Sequence, residues 1–431
     1  MNNFISLFTG AGGLDWGFHE NGNFQLIVSN EILEPHLKTY TDHYKIPLKS
    51  IEDGNKDTNI GICGDIHELE IDHSADVVTG GPPCQDFSLL RGSDKREGVK
   101  VKRGKLYQQF LRIIETSKPK VFVMENVPGM LSANEGLAYQ TIQEDFINEG
   151  YELIYENVVN ISNLGAPQAR KRLIVIAVQK NLIKNNKKEL EEIAQKNLNN
   201  PLLEKYPLTP LEVFEGDILT NLEDKYVKII KEYKDSTKNM DNPEAKKWIE
   251  EYKTLKFNII EDYIQANKID NYDEKEFQKA MNEHKKTLKI LDYYQKPINE
   301  QQFHDETNKL PKRNRKVQER MYHIPPSYNF KAVEYTEWKV KGLMSNIYRR
   351  IHPLKPSPTI IAYGGGGTGG YHYEYKRQGL TNRERARLQT FPDNYLFNGK
   401  TTEIRAQIGE AVPPIASYYI AKTVEEILNK L

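Results

Sequence analysis

Short apolar runs alternate with amphipathic stretches along residues 1–180. Phe4–Phe8 predicts a buried strand that turns through Thr9-Gly10-Ala11-Gly12-Gly13 into a helix near Leu14. Gln25–Ser29 predicts a second strand, ending at Asn30-Glu31, and a helix follows from Pro35 to His43. Asp76–Thr79, Val121–Met124 and Leu173–Val178 have the continuous apolar character of strands covered on both faces. Leu106, Phe110, Ile113 and Ile114 fall on one face of a helix over 106–116. Strands alternating with helices predict an α/β fold with a mostly parallel, doubly wound sheet.

From 181 to 308 the character changes: Lys, Glu, Asn and Tyr dominate and Gly is rare. Leu222, Tyr226, Ile229, Ile230 and Tyr233 keep helical spacing, so this stretch predicts a charged helical insertion. The Gly-rich run Gly364–Gly370 predicts a loop, in which missing side chains let backbone approach a ligand.

With 431 residues, 38% of them hydrophobic, the chain can form two or three domains. It has two cysteines, too few for a disulfide framework, and no metal-binding spacing. No signal-peptide pattern and no apolar run of roughly 18 residues is present, so a cytoplasmic setting without a membrane is expected. Net charge is zero, but its distribution is uneven. Residues 1–90 are acidic, whereas Arg91, Lys95, Arg96, Lys100, Lys102, Arg103 and Lys105 form a basic run. Such a run is most often a solvated face, but a local positive field also suits phosphates.

Four segments carry candidate chemistry. The Gly10–Gly13 turn suits a nucleotide-like ligand at a sheet edge, but Asp15 stands where a dinucleotide fingerprint has its third glycine. An acid at the helix start disfavours a pyrophosphate, so a nucleoside without phosphates fits better, with Glu31 placed for ribose hydroxyls; the acidic N-terminal third also suits a ligand carrying a sulfonium cation. Gly81-Pro82-Pro83-Cys84-Gln85-Asp86-Phe87-Ser88 holds a thiol in a turn at a strand end; it reads as a nucleophile or as an inert cysteine. Val121–Met124 ends in Glu125-Asn126, which a parallel sheet would bring to the same carboxyl edge as Cys84. Gln168-Ala169-Arg170-Lys171-Arg172 would present an amide and two guanidiniums on one face of an extended segment.

These pieces, in this order, resemble the DNA (cytosine-5) methyltransferase family, of the bacterial restriction-modification type. Gly64-Asp65-Ile66, the stretch Gly379–Asp393 and Ile408-Gly409-Glu410-Ala411-Val412-Pro413-Pro414 extend the resemblance over about 3–178 and 345–431. The family usually has Asn where this chain has Glu410. The resemblance implies a class I S-adenosylmethionine-dependent fold with an inserted target-recognition domain. It implies a catalytic domain of 1–185 plus 405–431, a recognition domain of 186–375 containing the 186–308 insertion, and a bridging segment of 376–404.

It further implies that a cytosine is flipped out of duplex DNA. Cys84 would attack C6, Glu125 would hold N3 and the exocyclic amine, Arg172 would contact the base carbonyl and Arg170 would support the loop. The cofactor, leaving as S-adenosylhomocysteine, would lie against Phe8, Gly10, Gly12, Gly13, Leu14, Glu31, Ile32, Asp65, Ile66, Pro83 and Leu106. DNA contacts would come from Gln85, Ser88, Arg91, Arg96, Arg349, Arg350 and Thr359, with Tyr348 beside them. No metal is implied. The implied partners are double-stranded DNA, bound by a monomer near the nucleoid, and a cognate restriction endonuclease. A tRNA methyltransferase on the same scaffold and a non-catalytic DNA-binding relative are the alternatives.

Overall fold

The computed structural model describes residues 1–54, 57–83, 105–237, 243–340, 347–362, 370–377 and 379–431. They form two compact units. The first comprises Met1–Leu164, Lys171–Asn200 and Ala411–Leu431; the second comprises Gly165–Arg170 and Pro201–Glu410.

The first unit is built on an eight-stranded sheet. Its strands are β1 (Asn2–Leu7), β2 (Phe24–Glu31), β3 (Leu48–Ser50), β4 (Ile60–Cys63), β5 (Val77–Gly80), β6 (Val121–Asn126), β7 (Tyr151–Asn160) and, after a two-residue strand β8 (Gln168–Ala169) of the second unit, β9 (Lys171–Gln179). Their spatial order is β3-β4-β2-β1-β5-β6-β9-β7. Pairs from β3 to β6 are parallel, while β9 runs antiparallel to both β6 and β7. The apolar run of β9 is buried like its neighbours, so hydrophobicity hides its direction. β7 buries its residues irregularly at the sheet edge and breaks register between Leu153 and Tyr155, so no alternation marks it as a strand in the sequence.

Helices α1 (Trp16–Asn21), α2 (Glu34–Tyr44), α3 (Lys105–Ser117), α4 (Leu137–Asn148) and α5 (Lys187–Asn197) belong to this unit, together with the C-terminal helix Pro414–Leu428. Tyr107, Phe110, Ile113 and Ile114 of α3 join Phe122, Phe146 and Tyr151 in one core. The first unit extends to Asn200, beyond the expected boundary at 185, because Leu190 and Ala194 are buried and α5 fastens to the C-terminal helix. Asn197 donates to Glu426 at 3.1 Å, and Lys430 pairs with Glu189 at 2.6 Å.

The second unit carries the insertion as helices, among them α6 (Pro201–Lys205), α7 (Pro210–Glu215), α8 (Glu223–Thr237), α9 (Pro243–Thr254), α10 (Ile259–Asn267) and α11 (Glu274–Ile290). The stretch 376–404, expected to bridge, packs inside this unit through the short helix Asn382–Leu388, every residue of which is buried. Its guanidiniums are held by acceptors from several segments. Arg383 donates to Asp305 at 2.7 Å, Thr307 at 3.0 Å and the carbonyls of Pro392 and Tyr395. Arg387 donates to the carbonyls of Val213 and Lys296 and pairs with Asp393. A buried guanidinium needs this density of acceptors to offset its lost hydration. Among the described residues no helix is long and apolar enough to cross a membrane.

Candidate active site

The carboxyl edge of the first unit's sheet collects most of the expected site. Phe8 follows β1 with φ of 56°, and Gly10 and Gly12 have φ of 57° and 78°. A left-handed Phe is costly for a bulky residue, and such strain concentrates at functional turns. Gly13 fills a different need. A Cβ there would lie 2.2 Å from the Val412 carbonyl oxygen and 2.9 Å from Ala411 Cβ. The late segment Ala411-Val412 thus packs directly against the first turn. Ser417 adds to this contact by accepting from the Gly17 N–H at 2.6 Å.

Glu31 ends β2 opposite Cys63, the last residue of β4. Its Oε2 accepts from the Gly10 N–H at 2.9 Å, and its Oε1 accepts from the Leu33 N–H at 3.0 Å. An ionised carboxylate has about four acceptor sites, so roughly two stay open for ligand hydroxyls. Asp65 leaves the same edge one turn after β4. Its Oδ1 accepts from His67 N–H at 3.0 Å and contacts His67 Nδ1 at 2.7 Å, which holds the carboxyl below its ordinary 3.8. Ile32, Asp65 and Pro83 are exposed, and Phe8, Glu31 and Leu106 are half-buried. Leu14 and Ile66, expected to face the cofactor, are buried in the core and support this edge from beneath.

Asp15, the acid at the helix start, is buried, 1% exposed, with Thr79 Oγ1 donating to Oδ1 at 3.4 Å. Burial pushes it up to about 7, against hydrogen bonds from Ser6 and Thr79.

The second cluster lies where β5 meets β6. Gly80 pairs with Met124, after which Gly81-Pro82-Pro83 leaves the sheet. Asn126 Nδ2 donates to the Pro82 carbonyl at 2.9 Å, and a Cβ at Gly81 would lie 3.1 Å from Glu125 Oε2. The backbone at Pro82, two residues before Cys84 in sequence, is therefore tied to the Glu125-Asn126 strand end. Asn126 had no expected role beyond its place in the motif, because its bond to Pro82 spans distant sequence. Cys84 itself, with Gln85, Ser88, Arg91 and Arg96 and residues 363–369 of the Gly-rich loop, lies outside the described residues. Cys63 is no rival nucleophile: burial and then Glu34 and Glu31 push its thiol up from its ordinary value.

The expected row of Gln168, Arg170 and Arg172 does not form. The strand breaks at Arg170, between β8 and β9. In the second unit, β8 pairs in parallel with β10 (Ser357–Pro358), and Gln168 donates to the Leu388 carbonyl at 2.8 Å. Arg170, 1% exposed, donates to the carbonyls of Ile360 at 3.1 Å and Gly409 at 3.0 Å. It is a strut of the second unit, and it also donates to the Glu410 carbonyl at 3.5 Å. Arg172 belongs to the first unit and pairs with Glu125, Nε to Oε1 at 2.7 Å. Its NH1 donates to the Lys171 carbonyl at 2.8 Å.

Two of the expected DNA readers require correction. Arg350 is fully buried and donates to the carbonyls of Ile324, Met321, His372, Glu374 and Arg377, which occupy the donors a base edge would need. Tyr348 is packed against Tyr371 and beneath Arg320. Thr359 is exposed and donates to the Ala169 carbonyl at 2.9 Å. Arg349 is half-buried and lines a cleft of the second unit. Among the described residues no group of three His, Cys, Asp or Glu could hold a metal ion.

The model of the C-5 cytosine-specific DNA methylase family matches residues 2–426. The chain belongs to that family. It is thus a DNA (cytosine-5-)-methyltransferase by class. It is 43% identical to the DNA (cytosine-5-)-methyltransferase M.ApeKI of Aeropyrum pernix, over 99% of this chain and 98% of that protein. It is 32% identical to the type II methyltransferase M.NgoFVII of Neisseria gonorrhoeae, over 99% of this chain and 87% of that one. A DNA modification methyltransferase encoded within an E. coli prophage has a similar fold, with a TM-score of 0.60 at 19% identity and full coverage of both chains.

Proposed function

We propose that the chain methylates C5 of a cytosine in double-stranded DNA, with S-adenosylmethionine as donor, as the modification enzyme of a restriction-modification system. The observation that carries this is the tie of Pro82, two residues before Cys84 in sequence, to Asn126, next to the Glu125–Arg172 pair. A type II relative covered along nearly its whole length supports the modification role and a cognate endonuclease.

The Gly10–Gly13 turn, Glu31, Ile32 and Phe8 suit the cofactor: an open left-handed turn, a carboxylate with acceptor sites to spare and an exposed apolar side chain. When bound there, S-adenosylmethionine supplies an electrophilic methyl group. Glu31 would accept hydrogen bonds from the ribose hydroxyls, and Phe8 and Ile32 would lie against the adenine.

The target base is flipped out of the duplex, because C5 and C6 are inaccessible within the stack. The Cys84 thiolate adds to C6, which makes C5 nucleophilic. Glu125 holds N3 and the exocyclic amine while negative charge develops in the ring, and Arg172 donates to the base carbonyl. Loss of the C5 proton after methylation restores the double bond and expels Cys84.

The test is labelled S-adenosylmethionine with unmethylated duplex DNA and with tRNA. Label in DNA, with bisulfite sequencing locating the modified cytosine, is the expected result; label in tRNA alone overturns the proposal. Duplexes containing 5-fluorocytosine should trap a covalent adduct that Cys84→Ala abolishes.

A further inference from the structure

The helical insertion takes no part in the chemistry above, yet it helps form a charged cleft of about 520 Å³ lying wholly within the second unit. Helix α9 contributes Lys247 and Glu251, the segment after the helix Arg315–Tyr322 contributes Tyr328 and Lys331, and the segment before β10 contributes Arg349 and Lys355. Five cations thus line the cleft with one carboxylate among the described residues, and because Arg350 is committed to carbonyls, four of them, Lys247, Lys331, Arg349 and Lys355, are left to face it. That carboxylate is already engaged, since Tyr328 OH donates to Glu251 Oε2 at 2.8 Å. Among the described residues none of the four cations forms an ion pair.

Lys355 sits partly buried among these charges. Burial, the largest cause, holds its ammonium below the ordinary 10.5; Glu251 opposes this, and Lys268 and Arg349 add to it by smaller amounts. His352, also in the lining, adds no charge. Its Nδ1 accepts the Leu354 N–H at 3.0 Å, and burial and then Lys355 push it down to about 3. Clustered cations without neutralising acids repel one another, and an anion relieves that cost. Three of the four are lysines, point charges on flexible stems that suit a phosphodiester better than a bidentate carboxylate.

We propose that this cleft seats a backbone phosphate of duplex DNA, so that the insertion acts as a clamp adding sequence-independent contacts. The inference rests on the DNA reading above and assigns the insertion a part in it. A polyanionic substrate already bound by the same chain is the occupant this charge fits, with counterion release supplying the free energy.

The test is fluorescence anisotropy of full-length wild type and the double variant Lys247→Ala/Lys331→Ala on duplex DNA across a salt series. Both lysines are exposed, so the variant should fold. Thermal unfolding checks this, and Lys355→Met provides a second variant within the cleft. The expected result is a slope of log affinity against log salt that is shallower by about 1 for each phosphate no longer neutralised, on DNA of any sequence. An unchanged slope in both variants overturns the clamp. So does binding of inorganic phosphate that the variants abolish while DNA binding keeps its slope, which would make the cleft a small-anion site. Methyl transfer to DNA by the wild type separates the two levels: without it the DNA reading fails, and with it an unchanged slope removes only the clamp.

Discussion

Arg172 and Glu125 meet across the antiparallel β6–β9 pair, with Nε 2.7 Å from Oε1 and both side chains mostly buried. Each orients the other. In the proposed mechanism a flipped cytosine would present a carbonyl beside N3 and an amine, an edge that a guanidinium next to a carboxylate matches in charge and hydrogen-bonding sense. This pairing requires β9 to run against β6, since Glu125 registers with Ile174 and Arg172 lies just past Leu173.

Glu125→Gln should therefore lower the single-turnover methylation rate by about 10²–10³, the range for losing one charge-stabilising group. Cofactor affinity should stay within a few-fold. Rapid-quench assays with equilibrium cofactor titration check this. Arg172→Ala in a double-mutant cycle with Glu125→Gln should show strong non-additivity, because the two act as one unit.

Gly13 and Gly10 differ in what a methyl group would meet. At Gly10 nothing lies within 4 Å, and the cost of alanine is the left-handed backbone, about 1–2 kcal/mol. At Gly13 the methyl would collide with the Val412 backbone. Gly13→Ala should thus be the more destabilising and should displace the C-terminal segment. Urea midpoints of both variants and protease sensitivity near Ala411 give the comparison.

Much of this site was legible because its chemistry is local in sequence. Parallel strands buried on both faces announce themselves as apolar runs, and the residues after them mark the carboxyl edge, which located Glu31 and Glu125; Asp65 was reached only through the resemblance of Gly64-Asp65-Ile66. Tertiary partners left no such trace. Arg349-Arg350 reads as a pair of cations ready for DNA, but Arg350 is enclosed by five carbonyls from 321–377 that no spacing reveals. The burial of Asp15 was hidden for the same reason: whether a helix-start acid faces a ligand or the sheet depends on Thr79, which is 64 residues away.

Asp15 should make stability fall with rising pH. Its folded value of about 7 lies above its ordinary 3.8, so between those values the folded state holds a proton that the unfolded chain has released. Stability from this group is fully present below about 4, declines through that window and levels off above 7. Asp15→Asn should flatten the decline, so that the variant gains on the wild type between pH 5 and pH 8. Urea unfolding at the two pH values measures it.

The insertion contains a second buried titrating pair with a similar direction. His284 Nδ1 lies 2.8 Å from Glu212 Oε1, its Nε2 lies 2.9 Å from the Tyr206 carbonyl, and both side chains are fully buried. A ring contacting a carboxylate and a carbonyl must donate from both nitrogens, which requires the imidazolium. Burial lowers its pKa, but Glu212 and the Tyr206 carbonyl outweigh burial and hold it above the ordinary 6.5. The pair's contribution is therefore complete below 6.5 and is lost as pH rises through the folded value. His284→Leu leaves Glu212 buried with only the Thr209 N–H and hydroxyl and the Leu219 N–H as donors, and should cost about 3–5 kcal/mol at pH 6. Glu212→Gln/His284→Leu should recover part of that loss, because no ionised group is then stranded. Urea midpoints at pH 6 and pH 9 provide the test: a wild type whose advantage over His284→Leu fails to shrink at the higher pH would show that the imidazole is neutral in the fold.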